Sequence, residues 1–136
     1  MTRVIPRRWT VSCRSVADQP LLIHCAGQPL TQSAPATLDN VSPVEYLLVA
    51  IATCFALSCR AALKTRQLPL VALEVAVEGE KAPDQPSRLA AIRIAVRFDA
   101  ALGEADATAV TTEAKSLCTV TNTLAGQPSI KVELNT

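Results

Sequence analysis

Aromatic residues and charge are both scarce in this sequence. Of its 136 residues, 3% are aromatic and 18% are charged, and the formal net charge is +1. Proteins that bind nucleic acid use a basic surface and aromatic side chains that stack on bases, so we expect no nucleic-acid partner. Hydrophobic residues make up 49% of the chain, which excludes an intrinsically disordered protein.

Histidine is nearly absent, and the cysteines lack the spacing of a metal site. The single histidine, His24, adjoins Cys25 in a predicted strand, where neighbouring side chains face opposite ways. No Cys-x-x-Cys pair occurs among the five cysteines, and their odd number argues against a full disulfide framework. We therefore expect free thiols, no metal and no other cofactor.

No uncharged apolar run is long enough to cross a membrane. The longest such stretch, 46–59, has fourteen residues, whereas a membrane-spanning helix needs about 20. The arginine-containing N-terminal residues include no apolar segment typical of a signal peptide. The sequence predicts a cytoplasmic protein without a membrane partner.

The length fits one domain covering residues 1–136. Apolar and polar residues alternate over 9–13 and again over 21–25, which predicts a β-hairpin. Residues 27–40 mix glycine, proline and small polar residues, and we expect them to form a loop.

The strongest local pattern starts a long helix at Ser42. Ser42 is a good N-cap, Pro43 suits the first helical position, and Glu45 completes a capping box three residues after the cap. The helix is predicted to end at about Gln67, because a proline follows two positions later. Over 46–59 it is apolar or small on every face and must be enclosed. A chain of this size has few layers for that purpose, so we expect a homodimer.

The remaining elements predict an α+β protein. Alternating strands over 71–78 and 92–99 form an antiparallel hairpin whose glutamates face arginines. A second helix is predicted over 103–117, then a short turn or helix ending at Gly126, then a last strand over 130–134. The element order is ββ-α-ββ-α-(α)-β.

Two cysteines lie where chemistry is possible. Cys54 is eleven residues beyond Pro43, too far from the start of the helix for the helix dipole to lower the pKa of its thiol. Cys54 therefore also fits a small hydrophobic position in the core. Cys118 follows the second helix and equally fits a core position at a helix end. A reactive Cys54 thiolate needs a cation from elsewhere in the fold.

Together these features resemble the OsmC/Ohr family of osmotically inducible and organic hydroperoxide resistance proteins. The resemblance rests on the apolar helix opened by Ser42-Pro43, on Cys54 within it, and on the second helix that ends in Cys118-Thr-Val-Thr-Asn. It extends from about Ser42 to Leu134, and the earlier elements also agree in order. It implies an OsmC-like fold in which two long central helices pack against antiparallel sheets of an intertwined homodimer.

The resemblance also implies a reaction. Cys54 corresponds to the peroxidatic cysteine and Cys118 to the resolving cysteine, with a hydroperoxide as substrate and an external dithiol as reductant. Arg14 is the first candidate for the cation beside the thiolate, with Arg7 and Arg8 behind it, although Arg14 also fits a solvated strand end. A peroxidatic thiolate attacks the O–O bond, and its sulfenic acid condenses with the second thiol.

One position departs from the family pattern. The well-characterised peroxidases have a glutamate directly after the helix proline, where this sequence has Val44 and places Glu45 next to it. Glu45 is thus a candidate site residue as well as a capping residue. Val44 favours the alternative function, an OsmC-like redox sensor or small apolar-ligand-binding protein without turnover. A purely structural dimerisation domain is a third interpretation.

The other cysteines are interpreted as packing residues. Cys59 is five residues after Cys54, about 140° around a helix, so the two thiols are predicted to point apart. Cys13 and Cys25 could meet across the first hairpin, but packing is the simpler expectation.

Overall fold

The computed structural model describes residues 42–135 in full and residues 11–14, 21–25 and 28–32 as backbone. The chain forms two compact units, Met1–Glu45 and Tyr46–Thr136. A single domain over residues 1–136 stays a prediction.

A three-stranded antiparallel sheet lies in the first unit. It consists of β1 (Val11–Arg14), β2 (Leu21–Cys25) and β3 (Gln28–Gln32) in the order β1-β2-β3. Val11 pairs with Cys25 and Arg14 with Leu22, so the predicted hairpin is confirmed.

The prediction of a loop over 27–40 is wrong for β3. Residues 28–32 pair with β2, and Pro29 lies opposite His24. Within the described sheet β3 is an edge strand, where a proline can be accommodated without breaking a central ladder. This short polar segment lacks the alternation that predicts a strand. Residues 33–40 of the predicted loop lie outside the described residues.

The long helix α1 (Pro43–Thr65) begins where the capping box predicts. The Ser42 amide donates to Glu45 Oε1 over 3.1 Å, and the Glu45 amide donates to Ser42 Oγ over 3.2 Å. The helix ends before Gln67, which adopts a positive φ of 55°. Its buried residues are Ile51, Phe55, Ser58, Cys59, Ala62 and Leu63.

By length and composition alone, α1 is apolar enough to cross a membrane. An 18-residue window within it has a mean hydropathy of 1.9, and 33% of that window is buried. The uncharged run considered above is shorter because it stops before Arg60. The core helix of a soluble protein meets the same criterion, and one face of α1 does form core.

A second antiparallel pair follows α1. Strands β4 (Leu73–Lys81) and β5 (Leu89–Phe98) pair with Leu73 opposite Phe98. Glu74 and Arg97 are cross-strand partners that form an ion pair on the exposed face, as the sequence predicts. Gly79 lies on the inner face, where an added Cβ would lie 3.0 Å from Leu89 Cδ1, so a larger residue requires the Leu89 side chain to shift.

Two helices follow this hairpin, as predicted. α2 (Glu104–Leu117) has Gly103 at its N-cap, and α3 (Thr119–Ala125) has Gly126 at its C-cap. The core of the second unit lies between α1, α2 and the inner face of β4 and β5. Its buried residues are Phe55, Cys59, Ala62, Leu63, Leu102, Val110, Ala114 and Cys118.

The predicted last strand over 130–134 is not formed within the part of the chain that the structure describes. Ile130, Val132 and Leu134 are 86%, 92% and 90% exposed, and Lys131 Nζ lies 3.0 Å from Glu133 Oε1. The alternation is present, but a strand also needs a neighbour that completes its hydrogen bonds. The predicted α+β class is otherwise confirmed.

Candidate functional site

The two cysteines singled out by the resemblance meet in the second unit. Cys54 lies in the middle of α1 and is partly exposed, whereas Cys118 lies between α2 and α3 and is 0% exposed. The Cys54 thiol donates a hydrogen bond to the Cys118 sulfur. Two residues 64 positions apart in sequence are therefore in side-chain contact.

The backbone holds Cys118 from both sides. Its amide donates to the Ala114 carbonyl over 2.9 Å at the end of α2, and its carbonyl accepts from the Asn122 amide over 3.0 Å at the start of α3. With φ −75° and ψ 99°, Cys118 is extended and separates the two helices. The thiol is thus attached to a junction fixed by two helical hydrogen-bond ladders.

The surroundings of Cys118 favour its charged form. Burial raises the pKa of the thiol, but hydrogen bonds from the Thr121 hydroxyl and amide, the Cys54 thiol and the Val120 amide lower the pKa below its ordinary value. The Thr121 hydroxyl also donates to the Cys118 carbonyl oxygen over 3.2 Å.

Thr121 is a site residue that the sequence analysis missed. It stands three positions after Cys118, at the start of a helix, where a hydroxyl can reach back to the preceding residue. The sequence Cys118-Thr-Val-Thr contains this three-residue spacing. The spacing indicates a contact between Thr121 and Cys118 only if a helix begins at Thr119, which the sequence alone does not fix.

Cys59 is buried, as predicted. It is 0% exposed, and burial together with the charge of Cys118 raises its pKa to about 11. Cys118 therefore interacts with two thiols of α1, Cys54 and Cys59. Among the described residues, no three His, Cys, Asp or Glu side chains are grouped so that they could hold a metal ion.

A cavity of about 330 Å³ lies near the thiol pair, and neither cysteine is among its lining residues. Phe55 follows Cys54 in α1, and Thr121 contacts Cys118, so the cavity shares residues with the surroundings of both thiols. Its walls are mostly apolar, and Lys115 supplies one positive charge. The lining residues are Phe55, Ile92, Ile94, Val96, Thr111, Lys115, Thr121, Asn122 and Ala125.

Glu45 lies at the start of α1, away from the thiols. It is nine residues before Cys54, which is about 13 Å along a helix. Its exposed carboxylate accepts from Ser42, and the hydrogen bonds from the Ser42 side chain and backbone lower its pKa. Its visible role is to cap the helix that carries Cys54.

The predicted cation is not part of the described site. Arg7 and Arg8 lie outside the described residues, and so does the side chain of Arg14, the last residue of β1. Cys13 pairs with Ile23 and Cys25 with Val11, so these two cysteines are diagonal rather than opposite across the hairpin. Diagonal Cα atoms are about 7 to 8 Å apart, too far for an unstrained disulfide.

Comparison with known proteins identifies a protein family that matches most of the chain. A family model described as OsmC-like protein covers residues 36–133, which is more than half of the chain. A search of curated proteins finds no match.

Several solved structures share the fold. An OsmC-like protein from Mycoplasma pneumoniae has a TM-score of 0.79 at 15% identity, covering 90% of this chain and 91% of that chain. An organic hydroperoxide resistance protein OsmC from Legionella pneumophila has a TM-score of 0.72 at 13% identity, with coverage of 90% and 93%. The organic hydroperoxide resistance protein OhrB of Bacillus subtilis has a TM-score of 0.69 at 14% identity, with coverage of 95% and 98%. These similarities establish the fold.

Proposed function

Because the chain belongs to the family of OsmC-like proteins, we propose that it is a thiol-dependent peroxidase that reduces organic hydroperoxides. The observation that carries this proposal is the hydrogen bond between the Cys54 and Cys118 thiols. Fold relatives from Legionella pneumophila and Bacillus subtilis are named organic hydroperoxide resistance proteins, which supports a role in redox chemistry.

Cys54 is the proposed peroxidatic cysteine because it is the accessible member of the pair. Cys118 is 0% exposed, whereas Cys54 is partly exposed. The Cys54 thiolate attacks the terminal oxygen of the hydroperoxide, the O–O bond breaks, and the alkoxide leaves and takes up a proton to become an alcohol. Cys54 is then a sulfenic acid.

Cys118 is the proposed resolving cysteine. Its sulfur attacks the Cys54 sulfur, an S–S bond forms and the S–O bond breaks, and the departing hydroxide takes up the Cys118 proton and leaves as water. The fixed junction between α2 and α3 holds this thiol beside Cys54. The attack on the sulfenic acid therefore requires no large movement of the chain. An external dithiol then reduces the bridge by two thiol–disulfide exchanges.

The hydrogen bond also gives the Cys54 proton a place to go. Cys54 donates to the Cys118 sulfur, whose charged form is favoured by Thr121 and Val120. As Cys54 attacks the hydroperoxide, its proton passes to that sulfur in this proposal.

The cavity beside the pair is the proposed place for the substrate. Its apolar walls suit the organic part of a hydroperoxide, and its volume of about 330 Å³ is that of a small-molecule pocket. No metal or other cofactor enters the proposed reaction, since sulfur and the external dithiol carry both electrons.

The positive group and the helix start have supporting roles in this proposal. Arg14 is proposed to supply the cation near Cys54, by resemblance to the family. Glu45 is proposed as a positioning residue, because it fixes the first turn of the helix that carries Cys54. A cytoplasmic location is proposed because Cys54, Cys59 and Cys118 are free thiols that a reducing compartment preserves. The proposal includes no nucleic-acid or membrane partner.

The working form is proposed to be a homodimer. Large apolar side chains on α1 are exposed to solvent, with Leu57 at 64% and Val49 at 52%. The apolar residues of the C-terminal segment 130–134 are more exposed still. A second copy of the chain that covers both surfaces removes this apolar area from water.

The test is disulfide mapping combined with turnover. Reduced protein receives one equivalent of cumene hydroperoxide, and steady-state turnover is followed with dihydrolipoamide as reductant. We expect a Cys54–Cys118 bridge and rapid turnover in the wild type, no reaction in Cys54→Ser, and a stalled sulfenic acid in Cys118→Ser. Cys13→Ser is the matched removal of another thiol and should retain turnover.

Val44 favours a second candidate, a redox sensor. In that case the Cys54–Cys118 bridge forms with hydroperoxide, but turnover with dihydrolipoamide stays absent. If neither the bridge nor turnover is observed, both redox functions are excluded and a binding or structural role is left.

A further inference from the structure

We propose that Asn122 is a positioning residue for Cys118, because its side-chain amide holds the junction between α2 and α3 in the shape that presents the resolving thiol to Cys54. This inference rests on the proposed peroxidase reaction, in which Cys118 closes the disulfide. It assigns a role to a polar residue that the proposed reaction leaves unused.

Asn122 bonds the chain on both sides of Cys118. Its side-chain Nδ2 donates to the Ser116 carbonyl over 3.0 Å, and its backbone amide donates to the Cys118 carbonyl over 3.0 Å. Ser116 belongs to α2 and Asn122 to α3. Among the described residues, no other side-chain hydrogen bond joins these two helices. The side-chain link across the junction therefore depends on one residue.

The bond to Ser116 replaces one that the helix ladder cannot make. In a continuous helix the Ser116 carbonyl would accept from the amide four residues later, that of Val120. The extended Cys118, with ψ 99°, interrupts the ladder there. The last carbonyls of a helix need other donors, and the Asn122 side chain supplies one to Ser116. Asn122 therefore stabilises the break at Cys118 relative to a continuous helix.

A single torsion separates the observed junction from that alternative. The φ of Cys118, −75°, already suits a helix, while its ψ of 99° differs from the helical value by about 140°. Rotation about this bond changes the direction in which α3 leaves α2. None of the seven residues of α3 is buried, so core packing alone holds this helix weakly. A junction that samples both shapes presents the Cys118 thiol to Cys54 for only part of the time.

The position of Cys118 matters because the sulfenic acid on Cys54 has two possible fates. Attack by Cys118 forms the disulfide and releases water. Attack by the Cys54 sulfur on a second hydroperoxide adds an oxygen to that sulfur, which gives a sulfinic acid and releases an alcohol. A loosened junction slows only the first of these two reactions, so it raises the yield of sulfinic acid.

Asn122→Ala removes the bond to Ser116 and tests this role. After one equivalent of cumene hydroperoxide, formation of the Cys54–Cys118 disulfide should slow about fivefold, since one hydrogen bond is lost. With excess hydroperoxide, sulfinic acid on Cys54 should increase, detected by mass spectrometry as the mass of two added oxygens. In a Cys118→Ser background, Asn122→Ala should not change the rate at which Cys54 reacts with hydroperoxide. A slower reaction in that background instead assigns Asn122 to the substrate, through the cavity wall, and overturns its role at Cys118.

Thr123→Ala is the matched control. The Thr123 hydroxyl donates to the Thr119 carbonyl over 2.7 Å within α3, so this variant removes a side-chain hydrogen bond of the same helix and leaves the junction intact. Its rate of disulfide formation and its sulfinic acid yield should equal those of the wild type.

Thr119→Pro provides a rescue. Thr119 is the first residue of α3, a position where proline is tolerated, and a proline disfavours the helical ψ in the residue before it, here Cys118. Added to Asn122→Ala, it should restore the wild-type rate of disulfide formation, because it keeps Cys118 extended by another means.

Because Asn122 is exposed, the alanine variant should stay folded, which far-UV circular dichroism checks. If it does not fold, the double variant with Thr119→Pro should fold and form the disulfide at the wild-type rate. A disulfide that forms as fast in Asn122→Ala as in the wild type overturns the role of Asn122 and leaves the proposed peroxidase intact, and so does a double variant that is not rescued. A wild type that forms no Cys54–Cys118 bridge overturns the proposed function and this inference with it.

Discussion

Two cysteines at the site differ in pKa because their surroundings differ. Cys59 is surrounded by core residues and by the charge of Cys118, and both raise its pKa. Cys118 is equally buried, but hydrogen bonds from its neighbours outweigh that burial and lower its pKa. The sequence identified both residues as thiols; only their contacts separate a raised pKa from a lowered one.

This difference predicts how stability depends on pH. Cys59 has a folded-state pKa of about 11 against an ordinary value of 9.0, so the unfolded chain loses this proton first. The contribution of Cys59 to stability is therefore complete below pH 9 and is lost as the pH rises toward 11, by about 2 to 3 kcal/mol. Cys118 has the opposite sign: its contribution is lost as the pH falls through its lowered pKa.

Urea unfolding between pH 8 and pH 11 measures this effect. The unfolding free energy of the wild type should fall across this range, and Cys59→Ala should flatten the fall, whereas Cys54→Ala should retain it. An equal slope in wild type and Cys59→Ala contradicts the assignment.

Among the elements, α1 has the start that the sequence predicts most directly. Ser42 and Glu45 bond each other's amides as a reciprocal pair. Because glutamine can replace glutamate in a capping box, the two positions respond differently to substitution.

Ser42→Ala should lower the unfolding free energy by about 1 kcal/mol, since an N-cap hydroxyl is lost. Glu45→Gln should keep the cap and leave kcat/KM for cumene hydroperoxide within about twofold, because Glu45 lies about 13 Å along the helix from Cys54. Chemical denaturation and steady-state kinetics measure both. A large loss of activity in Glu45→Gln with an unchanged fold instead assigns the carboxylate to the reaction.

Strand β5 connects the fold to substrate choice through its two faces. Ile92 lines the cavity, and the adjacent Arg93 belongs to the opposite, exposed face. Ile92→Gln should lower kcat/KM for cumene hydroperoxide about tenfold while changing that for hydrogen peroxide less than twofold, because only the organic substrate uses the apolar wall. Arg93→Gln is the matched control and should change neither; equal effects of the two variants contradict the placement of the substrate.

For the whole molecule, the main question is what covers its exposed apolar surface. A homodimer predicts that Val132→Lys weakens self-association about tenfold or more, because Val132 is 92% exposed and apolar. Glu133→Lys is the matched control, because it introduces lysine one position away on the polar side of the segment, and it should leave self-association unchanged. Sedimentation equilibrium measures the self-association of both variants. A wild type that sediments as a stable monomer contradicts the dimer.

The accuracy of the sequence predictions varied with the range of the interactions that decide each feature. The start of α1 and the pairing of Glu74 with Arg97 were predictable, because capping and alternation act between near neighbours. The strand over 28–32 was missed because its pairing with β2, rather than its own composition, makes it a strand. The segment 130–134 was predicted as a strand and has none, because alternation cannot supply a partner.

By itself, the sequence determined the α+β class, the long apolar helix, the scarcity of metal ligands and the two cysteines that resemble a known family. These depend on residue types and short spacings, which the printed chain carries in full. Only the tertiary structure decided that Cys118 contacts Cys54, that Thr121 favours its charge, and that Cys59 lies within its electrostatic reach. Contacts between distant segments, and the pKa values that follow from them, arise from packing and have no counterpart in local sequence.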